Sequence, residues 1–149
     1  MRCVARYDTS DDHETLITRP RDLQDDATPP SNAMAVTALL QLAGFTNEPR
    51  YVDLAHPALA QMQTPTGGGM MSQYPLGLGQ WLQALAHTLS KPREIAIVGE
   101  PDSADTQSLL NVVREDYRPF QVVALGAPEG QRPRAPLLQD RALVEGRAA

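Results

Sequence analysis

The chain has 149 residues, enough for one ordinary domain or for part of a larger one. A formal net charge of −5, with only 13 Lys and Arg residues, argues against the clustered positive charge that nucleic-acid binding requires. A single cysteine excludes an internal disulfide framework, and no apolar stretch has the length of a membrane span or a signal peptide. We therefore expect a soluble cytoplasmic protein that binds neither nucleic acid nor a membrane.

Residues 1–30 form a polar opening that is rich in turn-forming residues. Two short pieces, 3–7 and 15–18, could be strands, but they are too short to stabilise a sheet alone. So long a segment with so little structure is unusual in a compact domain. We expect it to lie as a loop over a larger body.

Residues 31–90 are predicted to be helical, as a hairpin followed by a third helix. The first helix is predicted over about 32–43, with Ser31 as its N-cap and Gly44 as a left-handed C-cap. Its residues are apolar on most sides, which is typical of a helix that is buried nearly all round.

The second helix is predicted to have Thr46 as its N-cap and to be kinked or broken at Pro57, which lacks an N–H. A flexible connector at 64–72 separates it from a third helix over about 75–89. Two glycines in the first turns of that helix, Gly77 and Gly79, predict a close approach of another backbone or of a ligand.

The pattern changes after residue 90. Short apolar runs at 93–99 and 119–126 are typical of buried strands, and residues 103–117 between them are predicted to be helical. Residues 91–127 therefore form one predicted βαβ unit with parallel strands. Two parallel strands are too few for an independent sheet, which indicates a fragment of a larger fold.

Residues 128–149 are predicted to be a tail.

The βαβ unit lacks the glycine-rich loop of a nucleotide-binding protein. Gly99 is the single glycine at the end of the first apolar run, and the acidic Glu100 and Asp102 follow it.

Five segments together resemble a known family. They are Asp-Thr-Ser-Asp-Asp-His-Glu at 8–14, Arg-Pro-Arg-Asp-Leu-Gln-Asp-Asp-Ala-Thr-Pro at 19–29, Asn-Ala-Met-Ala at 32–35, Pro-Arg-Glu-Ile-Ala-Ile-Val-Gly at 92–99 and Val-Val-Ala-Leu-Gly at 122–126. In order and spacing they resemble the C-terminal part of the spermatogenesis-associated, thioredoxin domain-containing proteins. The second segment is the most specific.

The resemblance implies a fold and a set of partners. Members of the family carry a thioredoxin-like head followed by an (α/α)6 toroid similar to that of the N-acylglucosamine 2-epimerases. The expected fold is therefore mainly α with a small α/β part, in which the terminal helices of a toroid are followed by a βαβ unit. The expected partners are the missing N-terminal toroid and thioredoxin-like domain of the same protein.

Two functions stay open under this resemblance. In the first, the chain has no activity of its own and belongs to a carbohydrate-active parent with an epimerase- or glycosidase-like toroid. In the second, it is a non-catalytic structural or interaction segment of a thioredoxin-like redox protein. Neither interpretation requires a cofactor.

Loops at the helix starts of a toroid face its central cavity, so five residues are candidates for lining it: Asp8, Arg19, Arg21, Asp25 and Asn32. Their carboxylates and guanidiniums could bind a sugar-like small molecule or carry out acid–base chemistry, although no single catalytic residue can be assigned. The alternative is an ion-paired loop that ties the toroid shut.

The histidines and the tryptophan have simpler interpretations. His13, His56 and His87 lack the spacing of metal ligands, so no metal site is predicted. Trp81, at the start of the third helix, could touch a sugar ring, but a position in the core is the preferred interpretation.

Overall fold

The computed structural model describes residues 12, 17, 21–63, 69–128 and 135–149. The predicted strand at 3–7, and all but residue 17 of the one at 15–18, lie outside these residues. The chain divides into two compact units. The first contains Met1–Gln41 and Pro49–Leu89, and the second contains Leu42–Glu48 and Ser90–Ala149.

The described elements are, in chain order, α1 (Ser31–Thr46), α2 (Pro49–Gln63), α3 (Met70–Gln73), a 3-10 turn (Pro75–Gly77), α4 (Gly79–Leu89), β1 (Arg93–Val98), α5 (Ala104–Glu115), β2 (Gln121–Gly126) and a 3-10 turn (Pro136–Leu138). The fold is mainly α-helical with a small α/β part, which confirms the predicted class. Within the described residues, no helix is both long enough and apolar enough to cross a membrane.

The first unit is built from α1 as far as Gln41, together with α2, α3 and α4, around one apolar core. Helical spacing of three and four residues puts the apolar positions of each helix on one face. The core residues are Ala33, Val36, Leu40, Ala55, Ala58, Leu59, Met62, Met71, Leu78, Trp81 and Ala84.

Helix α1 does not end where the sequence predicts. It continues through Gly44 to Thr46, and Asn47 follows with a left-handed φ of 53° and an N–H that donates to the Ala43 carbonyl at 2.8 Å. A Cβ on Gly44 would lie 3.1 Å from Cγ2 of Val122 in the second unit, to which both residues belong. The prediction that Gly44 caps α1 is therefore wrong, since this glycine permits close packing and Asn47 ends the helix.

Helix α2 also differs from its prediction. It begins at Pro49, a favourable first helical residue, whereas the Thr46 hydroxyl donates to the Leu42 carbonyl at 2.7 Å inside α1. Pro57 does not break α2, which is assigned as one helix through Gln63.

The predicted third helix is divided into smaller elements. Residues 64–68 of the predicted connector are outside the described residues, and the helical turn α3 follows them. Pro75–Gly77 forms a 3-10 turn, so the long helix α4 begins only at Gly79.

The second unit confirms the predicted βαβ unit. Strands β1 and β2 pair in parallel, from Arg93 opposite Gln121 to Val98 opposite Gly126, with α5 between them in the chain. The buried residues Val98, Ala124 and Leu138 form a small core here. Part of the segment interpreted as a tail, residues 135–149, thus packs on the sheet.

Leu138 is the residue through which this segment enters the core, since it is 4% exposed and a Cβ on Gly126 would lie 2.8 Å from its Cδ1 atom. We predict that Leu138→Ala lowers the free energy of unfolding by about 2–5 kcal/mol, because it leaves a cavity against the sheet. Urea denaturation measures the free energy of unfolding of each variant. Leu125→Ala on β2, whose leucine is 38% exposed, is the matched control and should cost much less. Equal losses in the two variants would contradict the placement of Leu138.

Candidate functional site

The five candidate cavity-lining residues divide into two groups. Asp8 and Arg19 lie outside the described residues, whereas Arg21, Asp25 and Asn32 are described. Arg21 is half-buried in the loop that precedes α1, and Asn32 is only 7% exposed in the first turn of that helix. Their role in lining a cavity stays a prediction.

Asp25 is bound to the start of α4. Its Oδ2 atom accepts the backbone N–H of Gln80 at 2.9 Å, and its own N–H donates to the Gly77 carbonyl at 2.8 Å. A carboxylate at this position satisfies one of the unpaired N–H groups of the helix start and lies at the positive end of the helix dipole. Asp25 therefore acts as an N-terminal cap supplied from a distant part of the chain.

Gly79 makes this cap possible. A Cβ on Gly79 would lie 3.0 Å from Oδ2 of Asp25, so a side chain there would push the carboxylate away. A close approach does occur at this glycine, but the group that approaches is a side-chain carboxylate and not the predicted backbone or ligand. At Gly77, by contrast, a Cβ would meet nothing within 4 Å.

Trp81 fixes the same loop from within the core. The side chain is 1% exposed, and its Nε1–H donates to the Leu23 carbonyl at 2.9 Å. This confirms the preferred interpretation of Trp81 as a core residue, because a buried indole has no face left for a sugar ring.

The side chain of Gln80 joins α4 to α1. Its Nε2 atom donates to the Thr37 hydroxyl at 2.9 Å, and that hydroxyl donates to the Ala33 carbonyl at 3.0 Å. The loop that contains Asp25, together with α1 and α4, is therefore one hydrogen-bonded group. We call these contacts of Asp25, Trp81 and Gln80 the loop clamp.

One acceptor of the loop clamp has no protein partner among the described residues. Oδ1 of Asp25 is buried and accepts no hydrogen bond there. A buried acceptor that is left unsatisfied costs about 1–3 kcal/mol, so this atom could accept a donor from a ligand or from another polypeptide.

A second polar cluster, which the sequence analysis missed, lies between β1 and α5. Asp105 accepts the Ala148 N–H at 2.7 Å through Oδ2 and the Thr106 N–H at 2.9 Å through Oδ1. The hydrogen bond from the Ala148 backbone, with further bonds from the Ser103 side chain and the Thr106 backbone, lowers the pKa of Asp105 to about 2. The available signal was an aspartate in the first turn of a helix that follows a strand ending in glycine.

The titratable groups of the described residues do not form a metal centre. No group of three or more His, Cys, Asp or Glu side chains among these residues could hold a metal ion.

Replacing Asp25 tests the loop clamp. Asp25→Ala should lower the free energy of unfolding by about 0.5–2 kcal/mol, the usual effect of losing a helix cap. Asp26→Ala is the matched control, because Asp26 is an exposed carboxylate in the same loop. Urea titration of both variants measures the difference, and an equally small effect of both substitutions would contradict the clamp.

His87 predicts a pH dependence of stability. Burial lowers the pKa of His87 from its ordinary 6.5, so the folded chain binds a proton there less readily than the unfolded chain. The free energy of unfolding should therefore fall as the pH drops below about 6.5 toward the lower folded pKa. His87→Gln should flatten this slope, and His56→Gln, at an exposed position of α2, should keep it. Equal slopes in the two variants would rule out His87 as the cause.

Comparison with known proteins gives one group of relatives. The chain is 31% identical to spermatogenesis-associated protein 20 of Rattus norvegicus over 133 residues, which are 87% of this chain and 16% of that protein. The Mus musculus protein of the same name is 30% identical over the same shares, and the Homo sapiens protein is 29% identical over 72% of this chain and 13% of its own length. No family model matches the chain, and no solved structure matches it significantly. The chain is thus similar to a limited region of spermatogenesis-associated protein 20 and spans about a sixth of the length of the rat and mouse proteins.

Proposed function

We propose that this chain is the C-terminal part of a longer protein of the spermatogenesis-associated, thioredoxin domain-containing family. Its role is structural: it supplies the last helices of an (α/α)6 toroid and has no activity of its own. The loop clamp is the observation that carries this proposal. The Asp25 carboxylate, the Trp81 indole and the Gln80 amide each form a hydrogen bond with another segment of the first unit. This arrangement agrees with a loop that closes a toroid.

The similarity to longer proteins supports the first part of the proposal. It covers 87% of this chain but only 16% of the rat protein, so most of the rat protein lies outside the region of similarity. The toroid and the thioredoxin-like head come from the family resemblance in the sequence.

The apolar surface of the first unit supports the second part. Large apolar side chains that are exposed by 40% or more in the helices and the 3-10 turn of the first unit include Met34 48%, Leu54 43%, Leu76 100% and Leu89 78%. Exposed apolar patches often mark contacts with a partner, and we infer that these side chains belong to such a surface. Preceding toroid helices of the same protein would cover them.

A carbohydrate-active parent is the second candidate function, and Oδ1 of Asp25 is the observation that favours it. This buried acceptor would accept a hydroxyl hydrogen of a sugar-like molecule. Tyr74, which is 60% exposed three residues before Gly77, would offer an aromatic face nearby in the chain. The competing interpretation is a non-catalytic segment of a thioredoxin-like redox protein, in which Oδ1 accepts a protein N–H.

Thermal unfolding of the 149-residue chain with a dye that binds apolar surface tests the structural proposal. We expect strong dye binding before the transition, and we expect a triple variant Met34→Ser, Leu76→Ser and Leu89→Ser to reduce it without lowering the transition temperature. The matched control is Leu78→Ser, at a fully buried leucine, which should lower the transition temperature. A sharp transition with little dye binding, or sugar turnover by the chain alone, would contradict the proposal.

A further inference from the structure

The last six residues form a tight turn followed by an extended arm. Val144 and Arg147 exchange two backbone hydrogen bonds of 3.0 and 2.9 Å, and the residues between them, Glu145 and Gly146, have left-handed φ values of 52° and 77°. Two such residues are typical of the tight turn that joins strands in a hairpin. The turn directs residues 147–149, which we call the arm, along the edge of β1.

Backbone groups of the arm make its hydrogen bonds to β1 and α5. Val98 and Ala149 exchange two hydrogen bonds, from Val98 N–H to the Ala149 carbonyl at 2.8 Å and from Ala149 N–H to the Val98 carbonyl at 3.2 Å. The N–H of Ala148 donates to the Asp105 carboxylate at 2.7 Å. The arm thus adds to β1 on the edge opposite β2, as a peptide does in β-strand addition.

The space beneath the arm requires glycine at position 99. A Cβ on Gly99 would lie 2.8 Å from Cβ of Ala148 and would overlap the hydroxyl of Thr106, a residue with no exposed surface. The arm therefore rests on bare backbone, with a small side chain at its middle position.

The polar groups around the arm favour the binding of a peptide over the binding of an anion. The Asp105 carboxylate offers oxygen acceptors for N–H groups, and the exposed side chains of Glu100 and Asp102 add negative charge to the same loop. These like charges disfavour the binding of a phosphate.

We propose that the C-terminal end of β1 and the first turn of α5 form a peptide-docking site for an extended segment with a small middle residue. Its occupant is the chain's own arm. Because recognition uses backbone groups, the site also binds the same segment as a separate peptide once the arm has been released. This inference is independent of the proposed function.

The test uses the full chain with Ala148→Pro, which removes the N–H that Asp105 accepts and puts a ring in its place. A fluorescent peptide of residues 141–149, amidated at its C-terminus, is titrated into this variant and into the unchanged chain, and anisotropy is measured. We expect saturable binding to the variant that is at least about tenfold tighter than to the unchanged chain, where a tethered arm competes at an effective concentration on the order of millimolar.

Two glycine variants separate docking from unspecific adhesion. Adding Gly99→Ala to Ala148→Pro should abolish peptide binding, whereas adding Gly77→Ala should not, because nothing lies within 4 Å of a Cβ at that position. Binding that Gly99→Ala leaves unchanged would overturn the proposal. So would the absence of binding to an Ala148→Pro variant in which β1 amides stay protected from hydrogen exchange.

A second measurement does not depend on the proline variant. In the otherwise unchanged chain, Gly99→Ala should accelerate hydrogen exchange of the Ala149 amide at least about tenfold relative to Gly77→Ala, because its Cβ collides with the Cβ of Ala148 as well as with the hydroxyl of Thr106. Equal exchange in the two variants would overturn the proposal.

Discussion

The hydrogen bond from the Gln80 backbone to the Asp25 carboxylate is the contact on which the organisation of the first unit depends. It lies at 2.9 Å and joins positions 55 residues apart, so it fixes a loop that has no regular structure of its own. The indole of Trp81 holds the same loop one residue further along α4, through the Leu23 carbonyl. Gln80, whose N–H is capped by Asp25, and Trp81 are consecutive residues of α4, and together they leave the loop little freedom. For this reason we propose a structural role for the loop.

The second unit depends on a different constraint, the close approach of side chains to glycine backbone. Gly126 admits Leu138 against β2, and Gly99 admits Ala148 and Thr106 against the end of β1. A sheet of two parallel strands buries little surface alone, because parallel sheets are normally covered on both faces. Residues 135–149 supply part of that cover and, at Ala149, a further hydrogen-bonded partner for β1.

Much of the fold could be predicted from local sequence patterns. The apolar runs of β1 and β2 with a helix between them predict a parallel βαβ unit, and the apolar periodicity around Trp81 predicts a core helix. The end of α1 could not be predicted in this way, because Gly44 looks like a cap and only the nearby Val122 side chain shows that it is a packing position. Local signals also favoured Thr46 as a cap, whereas its hydroxyl bonds back to Leu42 within α1.

The contacts of the candidate sites also could not be predicted from local sequence patterns. Asp25 could be singled out from the family motif and Gly79 from its position at a helix start, but their contact joins segments that are distant in sequence. The Asp105 cluster was missed because its partner, Ala148, lies 43 residues away in a segment without a strong pattern. Polar groups that meet through tertiary contacts leave no local periodicity to detect.

We propose that this chain completes a larger helical body through the apolar surface of its first unit. Hydrogen exchange of the chain alone, compared with the chain as part of the longer protein that we propose, tests this proposal most directly. We predict that amides of α2 and α4 exchange markedly more slowly in the joined protein, because docking against further helices suppresses local opening. Equal exchange rates at these amides in both forms would contradict the claim and would make the chain an independent domain.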